Sequence, residues 1–210
     1  MATYRIAVLV GSLRAGSINR KVAKALIAAA PDSLDCAIVE LGDLPIYNED
    51  REASPPPEWV AFRDAMRGSD GVLFVSPEYN RSVPGGLKNA IDVGSRPYGK
   101  SVYSKKPAAV VTASPGAIGG FGSNHHLRQS CVFLDMPVMQ QPEAYLASIK
   151  DEWGADGRPA DAKVAGFLDT IIQSYAKWVE LILQNQDLDV LSRVAQDICD
   201  RFRDCGCLRT

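Results

Sequence analysis

Apolar runs cover residues 6–10, 71–75 and, with one threonine, 108–113, and each stops at a stretch rich in Gly, Ser and Pro. Such runs, closed by turn residues, read as strands buried on both faces of a parallel sheet. Between them the period changes. Val22, Ala23, Leu26, Ile27 and Ala30 recur at helical spacing and predict a helix over 22–30. Pro31-Asp32-Ser33 breaks it, and 36–41 suits a second strand. A helix over 59–67, opened by Pro57 and closed by Gly68, carries Phe62 and Met66 on its apolar face. Further helical patterns cover 87–93 and 124–134, and 136–139 reads as a short last strand. The strongest helical signal comes late. Val164, Phe167, Leu168, Ile171, Ile172, Tyr175, Trp178, Val179 and Ile182 form one stripe and predict a helix that covers a face of the sheet.

Strands alternating with helices imply an α/β fold, a flavodoxin-like three-layer sandwich with a five-stranded parallel sheet. The expected domain spans 1–185. The remainder, 186–210, differs in composition: Leu188, Leu191, Val194, Ile198 and Phe202 can form a stripe, and Cys205-Gly206-Cys207 follows. It reads as an appended helix, an interface element or an unstructured end. The proline-rich stretch 42–57 reads as a surface excursion that wraps near a neighbour.

The turn at 11–20, Gly-Ser-Leu-Arg-Ala-Gly-Ser-Ile-Asn-Arg, carries the clearest chemistry. It leads from a strand into a helix N-terminus, where free N–H groups and the positive end of the helix dipole meet two hydroxyls, an amide and a guanidinium. An ordinary capped turn would use the serines and the asparagine equally well. Arg14 favours a phosphate monoester, because a cap needs no guanidinium. The turn lacks the three spaced glycines of a dinucleotide fingerprint and the Gly-Lys-Ser/Thr end of an NTPase loop. The loops 76–86 and 114–120 follow the other two apolar strands, so all three lie on the carboxyl rim of the sheet, where a flat ring can rest against them.

Composition narrows the picture. In a chain of 210 residues, 23 basic and 25 acidic residues give a net charge of −2, with no basic stripe for nucleic acid. Five cysteines without C-x-x-C pairs or partnered histidines point to neither a disulfide framework nor a metal site. No apolar run reaches membrane-span length, and the start of the chain does not read as a signal region, so a reduced, cytoplasmic protein is expected.

The stretches GSLRAGSINRK, VSPEYNRSVPGGLKNAID, SPGAIGG and HHLRQ, in this order and spacing, resemble the NADPH-dependent FMN reductase family, and within it the soluble quinone and chromate reductases. The resemblance covers roughly residues 4 to 183. It implies noncovalent FMN, NADPH or NADH as electron donor, and a small-molecule acceptor: a quinone, chromate or another oxidant. Carried over by motif, Ser12, Arg14, Ser17 and Asn19 would hold the FMN phosphate, with Ile18 of the same turn among the cofactor-binding residues. Pro77, Glu78, Tyr79 and Asn80 would line the ring, partly through backbone groups, and Ser114 and Gly116 would close its other side. The family's habit of pairing implies a homodimer or homotetramer in which a neighbour helps shape the pocket, and the apolar helix at 87–93 would suit it. Where many relatives carry an aromatic residue after the Ile91-Asp92 pair, this chain has Val93 and Gly94.

No catalytic side chain is assigned, since a flavin carries the redox chemistry. His125 and His126 read as surface or interface residues. Arg81 is the candidate for meeting an anionic acceptor or the phosphates of the nicotinamide nucleotide, or else a solvated loop charge. Two rival readings are a flavodoxin-like electron carrier docking on a protein partner and a reductase that releases reduced FMN. Carriers are usually acidic around the flavin, whereas Arg14 and Arg81 stand on this rim.

Overall fold

The computed structural model describes residues 2–204, with side chains through 186. Five parallel strands, β1 (Tyr4–Val10), β2 (Leu34–Val39), β3 (Gly71–Ser76), β4 (Ala108–Ala113) and β5 (Ala144–Leu146), lie in the order β2-β1-β3-β4-β5. This is the flavodoxin-like winding, with its switch point between β1 and β3. The helices are α1 (Ile18–Ala28), α2 (Pro57–Arg67), α3 (Gly85–Gly94), α4 (Phe121–Phe133) and α5 (Ala162–Asp204).

The continuous apolar runs are explained by two cores. Ile6, Val8, Val10, Leu73, Val75, Ala109 and Val111 face α1 and α5, while Ala7, Leu9, Val72, Phe74, Ala108 and Val110 face α2, α3 and α4. Successive strand residues point to opposite faces, so helices on both sides call for apolar residues at nearly every position; the buried Thr112 satisfies its hydroxyl by donating to Ala144 O.

Boundaries differ from expectation in instructive ways. α1 begins directly after its N-cap Ser17, whose side chain accepts from the Arg20 N–H, so Asn19 belongs to the first helical turn. The last strand is 144–146, not 136–139. The segment 136–139 touches β4 at one bridge, with Ala108 N donating to Pro137 O and Met139 N to Ala108 O. Pro137 and Pro142 have no N–H to offer a ladder. Regular pairing is made by 144–146, where Val111 faces Ala144.

The excursion at 42–57 turns inward onto its own chain. The Asn89 side chain donates to Leu44 O and Pro45 O and accepts from Tyr47 N, the Trp59 indole donates to Pro45 O, and Glu52 pairs with the buried Arg63 at 2.6 Å. The apolar side of α3 is likewise used at home: Leu87, Ala90 and Val93 are fully buried in the second core. At Gly94 the space an aromatic neighbour would need is taken by the Tyr103 ring, which a Cβ would meet at 2.5 Å.

The helix foreseen over 164–182 runs on as α5 to Asp204, 43 residues, about 65 Å at 1.5 Å per residue. The side chains of the 188–202 stripe, and Cys205 and Cys207 altogether, lie outside the described residues. Among the described residues no helix is long and apolar enough to cross a membrane.

Candidate functional site

The ends of β1, β3 and β4 enclose a cavity of about 280 Å³ lined by Ser12, Arg14, Ser17, Ile18, Asn19, Pro77, Glu78, Tyr79, Ala113, Ser114 and Pro115. The fold thus gathers nine of the eleven residues that the motifs assign to the cofactor. Asn80 and Gly116 sit next to it in their loops without lining it, and Arg81 stands outside. Ala113, the last residue of β4, and Pro115 flank Ser114 and complete the lining.

At the first wall, the helix N-terminus is arranged as a donor cluster. Arg20 N–H is spent on Ser17 Oγ, Lys21 N–H on Ser17 O and Ser17 N–H on Arg14 O. The N–H groups of Ile18 and Asn19 remain at the mouth of the first turn, beside the Ser12 and Ser17 hydroxyls and the exposed Arg14 guanidinium. Convergent donors at the positive end of a helix dipole suit an anion. Arg20 is occupied elsewhere, bidentate on Glu40, which raises the guanidinium's pKa and lowers the carboxylate's.

The second wall is a turn held by force of contacts. Tyr79 and Ser82 exchange two backbone hydrogen bonds at 3.1 and 3.0 Å, and Asn80 and Arg81 between them have φ of +50° and +64°. Positive φ at both central residues defines a type I′ turn, natural for Asn and uncommon for Arg. Both oxygens of the Glu78 carboxylate are held by protein groups. One oxygen accepts from Gly122 N and Ser123 N at 2.6 and 3.2 Å, and the other accepts from Arg81 at 3.0 Å. Glu78 therefore caps α4, whose own N-cap, Gly120, has no side chain to do so. Gly122 permits this approach: a Cβ there would lie 2.6 Å from Arg81 O. The sequence holds no signal for this long-range cap.

The third wall, the loop after β4, is fastened by Ser114 Oγ accepting Gly116 N, and by Ser148 N donating to Gly116 O. His125 and His126 are exposed, the first hydrogen-bonded to the Tyr145 hydroxyl at 3.0 Å and the second to Ser82 at 2.9 Å.

The walls can be tested against FMN by one orphaned atom. Asn19 is 4 % exposed and its Oδ1 has no hydrogen-bond partner, although its Nδ2 is satisfied by Ala113 O at 3.1 Å. A buried acceptor left without a donor costs free energy. A ligand carrying both a phosphate and hydroxyls, as FMN does, supplies what this site lacks.

A larger groove of about 490 Å³ lies between α3 and α4, lined by Lys88, Ile91, Asp92, Arg96, His126 and Phe133 among others. It presents an ion pair, Lys88 with Asp92 at 2.6 Å, instead of convergent donors.

Comparison with known proteins follows the same lines. The profile described as NADPH-dependent FMN reductase matches residues 4–151. The chain is 63 % identical over 179 residues to a quinone reductase of Pseudomonas putida, covering 85 % of this chain and 96 % of the relative. It is 42 % identical over 175 residues to a 2-hydroxy-1,4-benzoquinone reductase of a Burkholderia species, covering 83 % and 96 %. Among solved structures it is similar to the flavoenzyme NAD(P)H:(acceptor) oxidoreductase FerB of Paracoccus denitrificans, with a TM-score of 0.80, 40 % identity, and 85 % and 98 % of the two chains covered.

Proposed function

The chain belongs to the NADPH-dependent FMN reductase family, and from that premise we propose that it is an FMN-dependent NAD(P)H oxidoreductase whose acceptors are quinones. The observation that carries this reading is the joining, at the β1/β3 switch point, of a donor cluster at the start of α1 with one buried, unpartnered acceptor. FMN held there would supply the redox chemistry, hydride acceptance from NAD(P)H and two-electron delivery to the acceptor.

The chain's own residues bind, orient and shield. Ser12, Arg14 and Ser17, with the N–H groups of Ile18 and Asn19, hold the phosphate. Pro77, Tyr79 and Asn80 from one loop, and Ser114 and Gly116 from the other, flank the ring. Glu78 acts on that ring through its loop, which it fixes to α4. Arg81 gives one N–H to Glu78 and leaves the rest of a side chain that is 75 % exposed toward solvent, where an anionic acceptor or a nucleotide phosphate can meet it. Chromate falls within this reading as a small anionic oxidant.

The finer organisation belongs to the same proposal. Residues 1–185 form the flavin-binding unit, 186–210 an extension, and the protein works in the cytoplasm as a homodimer or homotetramer. What supports self-association is the α3/α4 face, where Tyr98, Val132 and Phe133 are 86, 79 and 75 % exposed beside a groove carrying both signs of charge.

Steady-state kinetics test the proposal. One ring face serving donor and acceptor in turn gives parallel double-reciprocal lines, and intersecting lines contradict a shared site.

A further inference from the structure

The groups around the α1 N-terminus divide sharply by sense. Those placed for the phosphate, the Ser12 and Ser17 hydroxyls, the Arg14 guanidinium and two backbone N–H groups, can all donate. Asn19 is the exception. Its amide orientation is fixed by Ala113 O, which accepts from Nδ2 at 3.1 Å; turning the amide over would set two carbonyl oxygens against each other. What Asn19 has left is Oδ1, buried and without a partner. An oxygen acceptor cannot bond the doubly ionised phosphate that predominates at neutral pH, which has no proton to give. It can bond a hydroxyl.

We infer that Asn19 recognises a hydroxyl of the ribityl chain, not the phosphate, and so makes the site selective for a phosphorylated polyol over a bare phosphate or a ring without the chain. This rests on the flavin reading of the site and divides its labour. Arg14 reads the charge at the end of the chain, and Asn19 reads the chain itself. The position suits this, since Asn19 is tied to the last residue of β4, at the join between the α1 turn and the loop that flanks the ring.

The test is isothermal titration of apo-protein with FMN, riboflavin, inorganic phosphate and three FMN analogues, each lacking one ribityl hydroxyl. Asn19→Leu is expected to weaken FMN and riboflavin by the same factor, about tenfold for a lost bond to a buried acceptor, and to leave inorganic phosphate unchanged. In the wild type one analogue loses about the same factor, and that loss disappears in Asn19→Leu. Weakening of FMN and phosphate with riboflavin unaffected overturns the inference and returns Asn19 to the phosphate. Should Asn19→Leu fail to fold by circular dichroism, the analogues decide with wild-type protein alone: a single weakened analogue supports the inference and equal affinity for all three overturns it. Wild-type protein that binds neither FMN nor riboflavin overturns the flavin reading itself, a result separate from all of these.

Discussion

Glu78 Oε2 lies 2.6 Å from the backbone nitrogen of Gly122, so the loop after β3 is bonded to the first turn of α4. The carboxylate is 9 % exposed and also holds Arg81. A side chain that the motif places against the ring thus does its work one step away, by fixing the turn at 79–82 in a backbone shape that few residues adopt unaided.

Removing that carboxylate should cost stability and binding together. Hydrogen bonds to charged groups are worth about 1.5–3 kcal/mol, so Glu78→Ala should lower the unfolding free energy by about that much in urea titration. FMN affinity should fall alongside. A stability change below about 0.5 kcal/mol would show that α4 needs no cap from this loop.

Arg14→Ala should weaken FMN about ten- to a hundredfold and leave riboflavin nearly unchanged, because only FMN carries the phosphate that the guanidinium meets. Ser17→Ala should act in the same direction by less, since a neutral donor is lost while the helix N–H groups remain. Equal losses for both ligands in isothermal titration would place Arg14 away from the phosphate.

Thiolates add to quinones as nucleophiles, and the two described thiols are kept protonated. Burial, with Asp35 nearby, raises Cys36 to about 11, and burial raises Cys131 to about 12 against a small opposing effect of Arg128. Both pKa values lie above the ordinary value near 8.5, so the thiolate fraction stays small below pH 10 and grows only beyond it. Peptide mapping after iodoacetamide treatment of folded protein at pH 8 should find both residues unmodified. Rapid labelling of either would contradict the assigned burial.

Ending the chain after Gln186 should leave FMN affinity intact. All three rim loops precede that point, and Gln186 itself makes the last described contact, donating to Lys105 O at 2.7 Å. Loss of flavin on titration, or a smaller assembly in sedimentation, would assign the extension an interface role.

The central strands and the rim loops were legible because their physics is local: a strand buried on both faces is apolar at nearly every position, and Gly, Ser and Pro follow where the chain turns. β5 was not, since the three residues Ala144, Tyr145 and Leu146 make no pattern, while the more apolar 136–139 is interrupted by Pro137. Arg63 shows a second limit. It is buried only because Glu52, Val93 O and the Trp59 ring surround it, and no helical period reports partners that distant. At the site, the phosphate turn could be read from residue types within ten positions. The cap that Glu78 gives to Gly122, and the acceptor sense of Asn19, depend on contacts 44 and 94 residues away in the chain.

Sequential-mixing stopped flow on holoprotein tests the central claim most directly. One equivalent of NADPH should bleach the visible flavin absorbance before any acceptor is present, and a quinone added in the second mix should restore it completely with no NADPH left. Absorbance that stays unchanged with NADPH alone and falls only when quinone is also present would contradict an account in which donor and acceptor take turns at one site.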